Sequence, residues 1–553
     1  MARLEWERPA QVDSRTRLPV GRQATDAAHN ISTGALTATS HPLPAERHLR
    51  LDAIADPHHW TYKIPGSLVL AAFLAFFIVT IHDPKNVFWI VQVLGFYLLV
   101  RFLVIVLFYP VGQWRISRSG QTPSMTREEA LSIPKGLTAP VHHVVIIANF
   151  KEPEAVIART LHHLAAQAHA RDILTVVLAM EGAEPGAPDK GERLVAQFED
   201  SFARMLFTVH PAHLPGEVPG KGSNLAWAAR RAKEVLVGQL GMPLDSLTVT
   251  SCDADSVIDA GYFAAITRQF VANCRRHECI WQAPFRFNTN IWAAPAAIRL
   301  LGFMNNLIQV SELANPLAAN LPLSTYTLSF RLADDIDYWD EMVVADDWHF
   351  FLRGLFGTSG RLTLEPVFLP LNGDAVTGAT VGEAFKNFYR QRRRHAWGSS
   401  DVGYVIQQWN RWPDVPLWSK SVYLIKVAHD HIVFPVAGLL LGIGAIVMVL
   451  KHGLLTIAAP IPGLYTILLQ SGNLVSAMGT IAAWLFEHMT SRKTCPGWRP
   501  QLLAVELATW PLLAPCSLLL MIAPTFEAQF RQMLGGDLAF WRTPKKAVGA
   551  RIG

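Results

Sequence analysis

The chain has 553 residues, half of them hydrophobic and 17% charged, with a formal net charge of +5. That balance argues against a purely soluble protein and for segments in a bilayer, and so small a net charge argues against a dedicated nucleic-acid binder. The five cysteines, at 252, 274, 279, 495 and 516, are odd in number and form no CxxC pair, which argues against a disulfide framework or a zinc site.

Residues 1–60 are polar, contain arginines and no secretory signal, and read as a disordered cytosolic tail. In 61–112 two apolar runs, 67–81 and 87–109, joined by a short linker, predict a transmembrane hairpin. Arg101 inside the second run is costly in lipid and is expected either to face protein or to lie where its stem can snorkel. Arg115, Arg118, Arg127 and Lys135 beyond the hairpin outnumber Lys85 in the linker, which places both flanks in the cytoplasm. Residues 113–380 change texture to alternating strands and helices. Strands are predicted at 141–150, 173–182, 246–256 and 279–287, in a mainly parallel, doubly wound sheet. Residues 381–428 read as interfacial amphipathic helices rich in arginine and aromatics. From 429 to 526 the apolar runs 432–450, 453–470, 473–489 and 502–524 give three or four membrane helices, and 527–553 a second cytosolic tail.

Ligands of such sheets bind beyond the carboxyl ends of the strands. "TVTSCDADS" places Asp253 and Asp255 at such an end, spaced so that two carboxylates can converge, a donor type that suits Mg²⁺ or Mn²⁺. Alone, this spacing is more often a solvated turn. "PGKGSN" fails the Walker pattern but leaves a glycine-flanked Lys221 before a helix expected to start near 223 or 224, able to meet an anion. Asp346 and Asp347 open an aromatic helix: they either complement its dipole or supply a general base. The aromatics around them, Tyr338, Trp339, Trp348, Phe350 and Phe351, are expected mostly in the core. His429 and His431 are expected to make interfacial hydrogen bonds rather than bind metal.

In order and spacing these pieces resemble the membrane-embedded glycosyltransferases of family 2, the group of cellulose, chitin and hyaluronan synthases and ceramide glucosyltransferase. "IANFKEPEAVIARTL" is similar to the family's first-strand motif, and "LAMEG" stands where its second acidic motif contacts the base. "PGKGSN" resembles the lysine segment, "DADS" the metal motif and "ADDW" the catalytic-base motif. "QRRRH" is similar to Q-x-x-R-W with His395 in place of Trp, and the closing "WRTPKK" to a recurring tail. The resemblance implies a GT-A-type (Rossmann-like) α/β domain on the cytosolic side, inserted between transmembrane α-helices of a multi-pass bacterial plasma-membrane protein. It implies inverting transfer from a nucleotide-sugar, a UDP-sugar above all, to a lipid, glycan or growing polysaccharide. Asp347 would be the base, with Asp346 beside it. Asn149, Glu152, Glu181, Lys221, Asp253, Gln391 and Arg394 would bind substrates, and Asp255 with Asp253 would hold Mg²⁺ or Mn²⁺. The lipid bilayer is the other expected partner, and nucleic acid is not one. His395 in place of Trp weighs against a processive synthase. A catalytically degenerate scaffold, or a membrane transporter, is the competing reading.

Overall fold

The computed structural model describes residues 59–82, 84–452, 464–494 and 500–536. The two expected tails (except 59–60 and 527–536), the "WRTPKK" stretch and most of the run 453–470 lie outside them.

Among the described residues ten strands form, in chain order: β1 His142–Asn149, β2 Leu174–Glu181, β3 Arg204–His210, β4 Leu247–Asp253, β5 Val257–Ile258, β6 Cys279–Gln282, β7 Phe285–Arg286, β8 Tyr326–Ser329, β9 Thr363–Pro366 and β10 Leu371–Asn372. Seven of them make one sheet in the order β3-β2-β1-β4-β8-β6-β9, and β5, β10 and β7 make a second. The first four strands are parallel, as the alternation of strands and helices predicts. β8 runs antiparallel to both β4 and β6, so the sheet is mixed. The stretch 279–287, expected as one strand, is two. Pro284, which has no N–H for a ladder, lies between β6 and β7.

The sheet is buried on both faces, which is why its strands are runs of Val, Ile and Leu. Val144 and Ile146 of β1 pack into one core with Leu225 and Ala229 of the helix Lys221–Lys233 and Phe350 of the helix Asp346–Gly357. Val145 and Ile147, one residue out of phase, pack into the opposite core with Leu161 and Phe263. His142 and His143 belong to this interior. They lie 2.8 Å from Thr175 and 2.7 Å from Thr248, so they are satisfied core histidines.

Among the described residues four helices, Trp60–His82, Val87–Ser119, Leu417–Gly444 and Pro500–Met533, are long and apolar enough to cross a membrane. A further long helix spans Leu464–Thr494. The helix Ala296–Ala314 packs the sheet domain onto the second span. There a Cβ on Gly112 would come within 2.5 Å of Val310, so only glycine allows the approach. Arg101 does face protein: it lies 3.7 Å from Glu312 and 3.6 Å from Asp430. His429 likewise meets Asp430 at 2.6 Å and also contacts Tyr97. The arginine-rich helix Val381–Ala396 docks on the helix Ala523–Met533 through Arg393 and Tyr389, both bonded to Glu527.

Candidate active site

Register decides which side chains meet. Ala148 of β1 pairs with Asp253 of β4, Asn149 with Met180 of β2, and Glu181 with His210 of β3. The carboxyl ends of four parallel strands therefore present His210, Glu181, Asn149 and Asp253 along one edge.

Two clusters stand on that edge. In the first, Lys221 Nζ lies 2.8 Å from Asp253, 3.3 Å from Asp347 and 4.0 Å from Asp346. The hub is Ser324, which no sequence signal singled out. Its N–H donates to Asp347 Oδ2 at 2.8 Å, its hydroxyl to Asp253 Oδ2 at 2.6 Å, and its carbonyl accepts from Lys221 at 2.8 Å. It adopts a left-handed backbone, φ +64°, which costs a non-glycine residue on the order of 1 kcal/mol and persists only where its surroundings fix it. The helix expected to begin near 223 or 224 begins at Lys221, so the lysine sits on its first turn. Gly222 lets that turn approach: a Cβ there would lie 2.9 Å from the Asp340 carbonyl and 3.4 Å from Asp346 Cβ.

Burial works against the charge of Lys221, but the carboxylates of Asp253, Asp347 and Asp346 outweigh it and raise its pKa well above the ordinary lysine value. Lys221 is therefore a fixed cation. Burial raises Asp347 most; Lys221 opposes the rise, and the negative charges of Asp346 and Asp253 add to it. The Asp347 pKa is pushed up to about 7. Asp346 rises for the same reason, burial, against Lys221 and more weakly Arg394, and its Oδ2 has no hydrogen-bond partner among the described residues. Arg394, on the helix Val381–Ala396, is thus within electrostatic reach of the cluster. So is His395, an exposed side chain whose charge the neighbouring Arg394 and Arg392 disfavour. Gln391 lies one turn earlier on the same helix.

The second cluster gathers around Asn149. Its amide nitrogen donates to Glu184 at 3.3 Å, and Lys190 reaches Asn149 at 3.3 Å and Glu184 at 2.6 Å. Glu152 accepts from the Phe150 N–H at 2.7 Å, closing the turn after β1. Lys190 and Glu184 escaped the sequence reading because nothing local marks them. Glu181 is held by His210 at 3.2 Å, and His210 by Glu217 at 2.8 Å. Burial disfavours the His210 charge, yet the two glutamates raise its pKa.

Asp253 and Asp255 each take partners of their own. Asp253 turns to Lys221 and Ser324, whereas Asp255 Oδ2 accepts from the Asp374 N–H at 3.1 Å. The turn between them is fixed: Thr160 holds the intervening Ala254 carbonyl at 2.8 Å, and Arg159 binds Asp374 at 2.9 Å. Among the described residues no three His, Cys, Asp or Glu side chains are grouped to hold a metal. Hard oxygen donors offered singly fit a Mg²⁺ or Mn²⁺ ion whose remaining ligands are phosphate oxygens and water, not a closed protein cage.

Residues 248–486 match the family described as glycosyl transferase family group 2. Among solved structures the chain is similar to the mannosyltransferase PcManGT from Pyrobaculum calidifontis in complex with GDP-Man and Mn²⁺. The identity is 16% and the TM-score 0.41, over 79% of this chain and 98% of that one. It is also similar to S. aureus TarS 1-349 in complex with UDP-GlcNAc, at 14% identity and TM-score 0.32, over 72% of this chain and 93% of that one. No curated protein matches the chain.

Proposed function

We propose, from the match of residues 248–486 to glycosyl transferase family group 2, that this chain is an inverting membrane glycosyltransferase. It moves a sugar from a nucleotide-sugar donor, a UDP-sugar in our reading, to a lipid, glycan or growing polysaccharide at the cytosolic face of a bacterial plasma membrane. The observation that supports this most is the cluster in which Ser324 and Lys221 hold Asp253 and Asp347 together at the strand ends.

A general base works best when its pKa lies near the operating pH, and Asp347, raised to about 7, meets that condition. In our reading its carboxylate takes the acceptor hydroxyl proton as the acceptor oxygen attacks the anomeric carbon from the face opposite the nucleoside diphosphate. That bond breaks as the new one forms, so the configuration inverts. Asp346 keeps negative charge beside the base and so maintains its raised pKa. Lys221 and Arg394 supply positive charge for the departing diphosphate, stabilising charge where it develops. Asn149, Glu152 and Glu181 line the nucleotide side, and Gln391 the acceptor mouth. Asp253 and Asp255 would hold Mg²⁺ or Mn²⁺, which when bound offsets negative charge on the diphosphate.

The test is the purified protein in detergent with Mn²⁺ or Mg²⁺, a panel of nucleotide-sugars, and mass spectrometry and anomeric NMR of the product. Transfer with inversion, lost in Asp255→Ala, is the expected outcome. Retention of configuration, or no nucleoside diphosphate release with any donor and acceptor, would overturn the proposal and favour a scaffold.

A further inference from the structure

The stretch 373–380 runs from β10 to the arginine-rich helix Val381–Ala396 and forms no strand or helix of its own. Connections of this kind are ordinarily solvated, yet here side chains from three directions bind its backbone. β10 pairs antiparallel with β5, so that Asn372 stands opposite Val257, just past Asp255. The Asp374 N–H then donates to Asp255 Oδ2 at 3.1 Å. The Asp374 carboxylate is itself fixed, both oxygens lying 2.9 Å from Arg159 Nη2. The same nitrogen lies 3.4 Å from the Asp255 carbonyl. Asp255 and Asp374 are both buried, so solvent screens these contacts little. Asn290 grips the next residue from both sides: it accepts the Ala375 N–H at 2.6 Å and donates to the Ala375 carbonyl at 3.0 Å.

The far end of this strap is held by the helix it leads into. Asn387 donates to the Thr377 carbonyl at 3.1 Å. A Cβ on Gly378 would collide with the Ala384 nitrogen, so only glycine lets the strap lie so close. Thr380 and Glu383 cap the helix reciprocally: the Thr380 hydroxyl accepts from the Glu383 N–H at 3.1 Å, and the Glu383 carboxylate from the Ala379 N–H at 2.7 Å. Asn387 lies one turn before Gln391 and two before Arg394, so the strap is tied to the helix face that carries both. A segment whose backbone is bound along its length moves with what binds it, where a solvated loop would absorb the displacement.

We propose that this strap positions the two ends of the donor site: Asp374, held by Arg159, sets Asp255, and Asn387 ties that setting to Arg394. The inference rests on the donor reading above and adds to it positioning residues that act through Asp255 and Arg394. Losing an outer partner of a metal-binding side chain typically costs about 10–100-fold in metal affinity.

The experiment is Mn²⁺ binding to the full chain in detergent, followed by electron paramagnetic resonance with saturating UDP and, in parallel, GDP. Asp374→Asn keeps the shape and the backbone N–H but loses the charge that Arg159 binds, and Arg159→Met removes the other half of the pair. Each should raise the Mn²⁺ dissociation constant about 10–100-fold, and the double variant no further, because the two act as one pair. Asn387→Ala, at the strap's far end, should raise it about two- to thirtyfold. Thermal unfolding shows that each variant is folded; a purely structural pair would lower the Tm and leave the Mn²⁺ affinity of the folded protein as it was. An unchanged dissociation constant in folded Asp374→Asn and Arg159→Met would overturn the proposal, and an unchanged value in Asn387→Ala would overturn the link to Arg394. Both results leave the donor reading standing. A wild type that binds no Mn²⁺ with either nucleotide would overturn the metal-assisted donor reading and the strap's role with it.

Discussion

Replacing Lys221 by Met tests how the carboxylate cluster sets its own protonation. At the 3.3 Å separation from Asp347, an effective dielectric of about 20 gives about 5 kcal/mol of direct attraction. Relaxation and water entry reduce this, and a neighbouring opposite charge typically moves a carboxyl by about 1–3 pKa units. Asp347, already at about 7, would then titrate about 1–3 units higher. At pH near 7 its ionised fraction, and the transfer rate with it, falls roughly five- to 500-fold. The assay is kcat at saturating donor from about pH 6 to about 10. The ascending limb, which marks ionisation of the base, should move to higher pH, and the part of the rate lost through protonation of Asp347 should recover there. Lys221→Arg should leave the limb in place, and thermal unfolding of each variant separates this effect from misfolding. A Met variant whose limb has not moved would refute the electrostatic reasoning.

Two further outcomes follow from the same geometry. His349, on the helix that carries Asp347, lies 2.7 Å from Asp401 and 3.2 Å from Asp340, clamping that helix to its neighbours. Burial disfavours its charge, but the two carboxylates push its pKa up to about 9. A pKa raised on folding gives stability that is full below the unfolded value, about 6.5, and lost as pH rises through about 9. Thermal unfolding should therefore weaken on the alkaline side. His349→Gln should cost about 3–5 kcal/mol, as for a broken buried pair, and remove that alkaline loss. Separately, Gly222→Ala should push the Asp340–Asp346 segment from the lysine helix at about 1–3 kcal/mol. Circular dichroism would find the fold retained, with kcat lowered at least tenfold.

How much of this was legible follows from how local each signal is. Asp253, Lys221 and the Asp346–Asp347 pair announce themselves because each follows a pattern contained in a few residues: a strand end, a glycine-flanked turn, a helix start. That Lys221 touches all three carboxylates depends on β8 inserting antiparallel beside β4 and on Ser324 just before it. Residues 253 and 324 are 71 apart, and no period or spacing connects them. The Asn149–Glu184–Lys190 set and the His349 clamp are non-local for the same reason. The turn that carries Asp253 and Asp255 is likewise fixed by Thr160 and by the Arg159–Asp374 pair, which sequence distance does not reveal. Continuous apolar runs fall in or overlap the four described helices that are long and apolar enough to cross a membrane. They did not foresee that the helix from Leu417 continues through a π-turn at His429–Val433 to His452.

The central claim is that Asp347 takes the acceptor proton, and the most direct measurement is acceptor-dependent nucleoside diphosphate release by Asp347→Asn at saturating donor. Asn keeps the shape but cannot accept the proton. The account predicts a loss of about 10²–10⁴-fold in kcat, with donor binding retained and the limb near pH 7 abolished. A variant within a few-fold of wild type, with that limb still present, would contradict it.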